Sequence, residues 1–254
     1  MPAAIIDGKK LAEDIRADLA GRVRALAAKG VVPGLAVILV GEDPASVSYV
    51  TGKEKACAEA GMKSFERRLP ADTAEEELLA VVRAFNDDPA VHGILVQLPL
   101  PRHISEKRVV DAIAPEKDVD GFTPMNVGKM LLGEPCYLPC TPHGVIKLIE
   151  RAGVATKGAH AVVVGRSNIV GKPLANLLIR KESNATVTIC HTGTRDMAYH
   201  TRQADILIAC AGVPELITAD MVKPGACVID VGVNRVDDPT KAKEIGRASC
   251  RERV

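Results

Sequence analysis

Tyr49 and Lys53 stand four apart in a stretch, residues 44–61, that reads as a helix with Asp43 as its N-cap and Pro44 at its first position. Side chains four apart on a helix share a face. A lysine so placed can hold or move a proton when desolvation brings its pKa towards neutrality. An aromatic ring beside it can stack on a flat substrate. A surface lysine next to a half-buried tyrosine would show the same spacing, so the pair alone does not define a site.

Two further groups carry polar chemistry at the ends of apolar runs. Gln97 lies near the end of the run 93–98, which Pro99-Leu100-Pro101 stops. A polar group at the C-terminal end of a parallel strand is where α/β proteins build ligand sites, although it can also simply cap the strand. Residues 117–122, K-D-V-D-G-F, form an acidic loop. Asp118 or Asp120 could accept hydrogen bonds from an amide or amidine edge of a ligand, and an Asx turn would use the same residues.

The run 161–173, A-V-V-V-G-R-S-N-I-V-G-K-P, passes from an apolar strand through a glycine turn into a helix. That order presents backbone N–H groups and a helix N-terminus to a pyrophosphate. Gly165, Arg166, Ser167, Val170 and Gly171 are the candidate contacts. The pattern departs from G-x-G-x-x-G, with Ser167 and Val170 at the second and third glycine positions. An enzyme that uses NAD usually places a carboxylate at the end of the next strand, to hold the ribose 2′-OH. Here that stretch, 189–195, reads I-C-H-T-G-T-R and has none. Cations and hydroxyls suit a 2′-phosphate instead, with Arg166, His191, Thr192 and Arg195 available, which favours NADP.

Alternating apolar elements must position these groups. Leu11, Ile15, Leu19, Val23 and Leu26 mark an amphipathic helix over 9–29, and Leu78, Leu79, Val82 and Phe85 mark another. Residues 35–40 and 93–98 read as buried strands. After the 118–121 loop comes a helix over 141–152, then strands at 161–165, 185–190, 205–209 and 226–231, with helical patterns between the first three. Buried strands alternating with helices imply parallel βαβ units. The expected architecture is α/β in two lobes: an N-terminal lobe and a Rossmann-type parallel-sheet lobe, with a cleft between.

Composition narrows the classes. The chain has 254 residues, 47% hydrophobic and 26% charged, with a net charge of +1. Near-neutrality gives no reason to expect nucleic acid or an anionic membrane as a partner. No apolar run reaches the roughly 18 residues of a membrane span. Asp7 and the lack of a long apolar stretch argue against a secretory signal at the N-terminus. Aromatic residues are 2% and tryptophan is absent, so Ala, Val, Ile and Leu must build the core. The seven cysteines include one lone C-x-x-x-C, Cys136 and Cys140, so no metal is expected, and a reducing cytoplasm is the simplest setting.

These signals co-occur in the order of one family. V-G-E-D-P-A-S-V-S-Y-V-T-G-K at 40–53, G-I-L-V-Q-L-P-L-P at 93–101, P-E-K-D-V-D-G-F at 115–122, P-C-T-P at 139–142, the glycine loop at 165–173 and D-V-G-V-N at 230–234 resemble the blocks of the methylenetetrahydrofolate dehydrogenase/cyclohydrolases. The resemblance implies a folate-binding catalytic domain over 1–119 and an NADP-binding domain over 120–243. It implies NADP-dependent oxidation of 5,10-methylenetetrahydrofolate and hydrolysis of the methenyl product to 10-formyltetrahydrofolate. Lys53 would serve the hydrolytic steps, Gln97 would hold and tune it, Tyr49 would stack on the folate and Asp120 would grip the pterin's amino edge. Gly165, Arg166, Ser167, Val170, Gly171, Thr192 and Val233 would hold the cofactor. Tetrahydrofolate derivatives would be the small-molecule partners of a cytoplasmic homodimer serving purine synthesis.

Members of that family continue with a G-D-V-D-F block, a P-G-G-V-G-P-M-T block and a last helix, none of which is in this sequence. Residues 244–254, E-I-G-R-A-S-C-R-E-R-V, show no helical or strand periodicity. They match an in-frame reading of a common sequencing-library adapter codon for codon. The native sequence is therefore expected to stop near Lys243, leaving the nucleotide domain incomplete and the chain poorly stable. Two rival readings follow: a non-catalytic NADP- or folate-binding fragment, or an NADP dehydrogenase of another substrate. The Tyr49/Lys53 and Asp118/Asp120 blocks argue against the second.

Overall fold

The computed structural model describes residues 3–232 and the backbone of two further strands. The chain divides into two compact units, one spanning Asp7–Leu138 and the other Pro139–Val254 together with Met1–Ile6.

The first unit begins with α1 (Gly8–Ala27), whose first turn is capped by Asp7 accepting from Lys10 N at 2.9 Å. Then come β1 (Gly34–Val40), α2 (Pro44–Ala60), β2 (Lys63–Leu69), α3 (Glu75–Asp87), β3 (Gly93–Val96), α4 (Glu106–Ala112) and α5 (Pro124–Leu132). The sheet is parallel, in the order β2-β1-β3. Period-two alternation along β1 divides its side chains between two layers. Ala36, Ile38 and Val40 pack with Leu78, Leu79, Val82 and Phe85 of α3 and with Val109 of α4. Val37 and Leu39 pack on the other face, with Val50 of α2 and Leu95 of β3. Each of the larger side chains gains about 1.5–3 kcal/mol from such burial.

Two elements here escape a reading by apolar runs. β2, K-S-F-E-R-R-L, is an edge strand whose charged side chains leave no hydrophobic pattern. α5 owes its start to Thr123, which accepts from Asn126 N at 3.4 Å, with Pro124 at its first position.

The second unit holds α6 (Cys140–Arg151), β4 (His160–Val164), α7 (Gly171–Ile179), β5 (Thr186–Cys190), α8 (Met197–Thr201), β6 (Ile206–Ala209), a 3-10 turn at Ala219–Met221 and β7 (Cys227–Asp230). All four strands are parallel, in the order β5-β4-β6-β7. Ala161 and Val163 face α6 and α7, whereas Val162 and Val164 pack with Ala204, Leu207 and Val222 on the other side. The order reverses between β4 and β6, which is the switch point where doubly wound sheets bind ligands beyond the strand ends.

The first unit extends to Leu138, beyond the boundary expected at residue 119. The Asp118 carboxylate accepts from Thr123 N and from Asn126 Nδ2, so the following helix packs with the loop before it. Strands β8 (Asn234–Asp237) and β9 (Ile245–Ala248) pair antiparallel, so β9 gives extended backbone to a stretch read from sequence as having no strand character. The rest of that tail, and Val233, lie outside the described residues. Among the described residues no helix is long and apolar enough to cross a membrane.

Candidate active site

Helix α2 starts where it does because Asp43 accepts from Ala45 N at 3.1 Å and from Ser46 N at 2.9 Å. It stops at Gly61, whose φ of +79° is the left-handed conformation glycine supplies freely. Ser46, Val50, Cys57 and Ala60 form its buried stripe. Lys53 falls on that stripe, between Val50 and Cys57, at a position where an apolar residue would be the ordinary choice. It is half-buried, and its Nζ donates to Gln97 Oε1 at 3.0 Å.

Gln97 follows β3, and its backbone N–H continues the ladder by donating to Ile38 O at 2.9 Å. Its side-chain Nε2 donates to Leu98 O at 2.7 Å. The amide is thus held at both ends, with its carbonyl oxygen turned to the lysine. Tyr49 sits one turn before Lys53 and is 47% exposed, which leaves ring surface for stacking.

The acidic loop lies beside β3: Ile94 N donates to Lys117 O at 2.7 Å, and Ile94 bridges Asp118 in parallel. The two aspartates divide there. Asp118 is 1% exposed and accepts from Phe122 N at 3.2 Å, Thr123 N at 2.8 Å and Asn126 Nδ2 at 2.9 Å. It is committed to the chain's own donors. Asp120 is only partly buried and remains the candidate for a ligand.

In the second unit the glycine turn is shaped by close backbone approaches. Gly165 has φ +133°, and a Cβ there would stand 3.0 Å from Cys210. A Cβ on Gly171 would stand 2.2 Å from Gly165 O, so the start of α7 can lie on the turn only without a side chain. Ser167 Oγ accepts from Val170 N at 3.1 Å and Gly171 N at 3.3 Å, which ties the turn to the start of α7. Arg166 and Ser167 are exposed at the end of β4, and Thr192 is exposed in the turn after β5. That turn is tied by His191 N donating to Thr194 Oγ1 at 2.8 Å and Gly193 N to His191 Nδ1 at 3.0 Å. Burial, with the Asp230 charge adding to it, pushes the Cys210 thiol up to about 12.

The structure therefore joins Lys53 to Gln97 and sets Tyr49 one turn away, and it gathers the glycine-loop residues in the other unit. Sequence reasoning did not anticipate the close packing at Cys210 and Gly232, although Gly232 lies in the D-V-G-V-N block. A Cβ on Gly232 would stand 2.6 Å from Ala211 O, so the backbones after β6 and β7 nearly touch. The bare cradle at Gly165 and Gly171, with Arg166 and Ser167 exposed beside it, fits the pyrophosphate of a dinucleotide.

A parallel sheet with a glycine turn at its switch point, in a chain that also carries a half-buried lysine hydrogen-bonded to a glutamine on a second α/β unit, defines a dinucleotide-dependent α/β enzyme. The comparisons specify which. Residues 6–120 match the tetrahydrofolate dehydrogenase/cyclohydrolase catalytic domain, and residues 139–252 match that family's NAD(P)-binding domain. The second match runs past residue 243, near which the motifs give out. The chain is 60% identical over 238 residues to the bifunctional protein FolD of Moorella thermoacetica, covering 94% of this chain and 84% of that protein. It is similar to the crystal structure of the bifunctional methylenetetrahydrofolate dehydrogenase/cyclohydrolase FolD of Campylobacter jejuni, at 45% identity and a TM-score of 0.90, over 96% of this chain and 85% of that one. It is similar as well to the Trypanosoma brucei enzyme crystallised with NADP and an inhibitor, at 39% identity and a TM-score of 0.93, over 98% and 86%. The chain belongs to the tetrahydrofolate dehydrogenase/cyclohydrolase family. Both of that family's domain models match, which disfavours a non-catalytic binding fragment.

Proposed function

We propose that this protein oxidises 5,10-methylenetetrahydrofolate to 5,10-methenyltetrahydrofolate with NADP and hydrolyses that product to 10-formyltetrahydrofolate. The observation that carries the proposal is the half-buried Lys53 held by Gln97 at 3.0 Å in a chain of this family. NADP supplies the hydride acceptor when bound. The residues at the end of β4 and the stretch 189–195 suit it, since that stretch has no carboxylate to repel a 2′-phosphate and Arg166 can pair with one. The NADP complex of the T. brucei relative supports the same choice.

The oxidation needs two bound partners held in register rather than a strong acid or base, so Tyr49 and Asp120 contribute by orienting the folate. Hydrolysis needs a proton acceptor. Water bonds its oxygen to the methenyl carbon and gives a proton to Lys53. The bond from that carbon to N5 then breaks as the new hydroxyl gives up its proton to become the formyl carbonyl. N5 takes a proton in its place, the formyl group stays on N10, and the proton held by Lys53 is the one released overall. Gln97 keeps the Lys53 nitrogen aimed throughout. A spectrophotometric assay of NADPH and methenyltetrahydrofolate tests the reading: a folded preparation that carries out neither step would overturn it.

The same resemblance supports a cytoplasmic homodimer that supplies one-carbon units for purine synthesis. Among the described residues Cys57, Cys190, Cys210 and Cys227 are free thiols, as suits a reducing compartment. Sedimentation of the purified protein tests the dimer.

A further inference from the structure

The loop that leads to Asp120 is fixed by two consecutive residues of opposite charge, each plugged into the end of a different helix. Lys117 Nζ donates to the carbonyls of Phe85 at 3.1 Å, Asn86 at 2.6 Å and Asp88 at 2.8 Å. These belong to the last turn and cap of α3, where carbonyls lack intrahelical donors and the helix dipole is negative. Asp118 does the converse. Its carboxylate accepts from Phe122 N and Thr123 N, just before α5, and from the side chain of Asn126 in that helix's first turn. There the amides lack acceptors and the dipole is positive. Asn126 Nδ2 also donates to Pro115 O at 2.8 Å, which ties the start of the loop to its end.

The strand side adds a third attachment. Ile94 N donates to Lys117 O, and Gly93 is bare because a Cβ would stand 2.4 Å from Val119 Cγ1. Chain is therefore held on both sides of Asp120. Burying a carboxylate to 1% exposure is costly unless its donors are fixed in advance, so the arrangement suits a rigid loop better than an adaptable one.

We propose that Lys117 and Asp118 are positioning residues for folate recognition, presetting the loop so that Asp120 meets the pterin without rearrangement. This rests on the reading of Asp120 as the pterin contact, and neither residue is assigned a contact with substrate. The coupling is mechanical, through the backbone between residues 118 and 120.

The test measures dissociation constants for tetrahydrofolate and for NADP by calorimetry on the full chain, in Lys117→Gln, Asp118→Asn and Asp120→Ala and in each of the first two combined with the third. Lys117→Gln and Asp118→Asn should each weaken tetrahydrofolate binding by about ten- to a hundredfold and leave NADP binding unchanged. In the Asp120→Ala background neither should add a further loss, because a residue acting only through another is silent once that other is gone. Should Lys117→Gln fail to fold, Lys117→Arg keeps the charge and the donors while shifting the loop, and the same dependence on Asp120 is expected. Parent-like tetrahydrofolate binding in the single variants, losses that multiply with Asp120→Ala, or an equal loss of NADP binding would overturn the proposal. Parent-like binding by Asp120→Ala would instead overturn the reading beneath it, and the proposal with it.

Discussion

Lys53 Nζ and Gln97 Oε1 meet at 3.0 Å across 44 residues of chain, one group on a helix stripe and the other at a strand end. Neither element is unusual alone. The contact exists because β1 and β3 are parallel neighbours, so the helix leaving the C-terminal end of one faces the residue leaving the same end of the other.

Replacing Lys53 by Met keeps the length of the side chain and suits the apolar stripe it occupies, so the fold should survive. Hydrolysis of methenyltetrahydrofolate should be lost, while folate binding persists. The decay of methenyltetrahydrofolate absorbance measures this, and a parent-like rate in the variant would remove Lys53 from the reaction.

Arg166→Ala should separate the two nicotinamide cofactors. A charge-assisted contact contributes about 1.5–3 kcal/mol, so NADP should weaken roughly 10- to 150-fold more than NAD. Titration of each cofactor against both proteins checks it, and equal losses would mean that Arg166 does not read the 2′-phosphate.

Gly171→Ala sets two effects against each other. Alanine favours a helix by about 1 kcal/mol over glycine. Its Cβ would lie 2.2 Å from Gly165 O, a backbone atom that cannot swing aside. Overpacking of this kind costs about 1–3 kcal/mol, so the clash should win. A lower urea midpoint and weaker NADP binding are expected together, and an unchanged midpoint would show that the turn can yield.

Cys210 predicts an alkaline signature. Its thiol titrates near about 12 in the folded chain against an ordinary 9.0. Below 9 both folded and unfolded chains keep the proton, and the stabilising contribution is fully present. Between 9 and about 12 only the unfolded chain releases the proton, so stability falls as pH rises. Cys210→Ala should lose that component, seen as a shallower decline of the urea midpoint with pH. Identical declines in the two proteins would refute it.

Much of this was legible from residue types. Asp43 and Pro44 gave the start of α2 and with it the shared face of Tyr49 and Lys53, and the valine run gave β4. Residue types alone left Asp118 and Asp120 open, and only the family resemblance chose Asp120. That Asp118 is the buried one, held by the chain's own donors, was not legible, because both are aspartates in one loop. Nor was the role of Ser167. Its hydroxyl accepts from the two amides at the start of α7, and that becomes visible only when Val170 and Gly171 fold back on it.

The charged strand β2 has a further consequence. An open parallel sheet offers two rows of unpaired backbone groups, and strangers can add to either. In the first unit the β3 side is closed by the segment at Lys117 and Asp118, while the β2 side bears Lys63, Glu66, Arg67 and Arg68. Charge along an exposed edge deters another chain from docking there as an extra strand. The residues that hid β2 from a search for apolar patterns therefore also help this unit stay dispersed at high concentration.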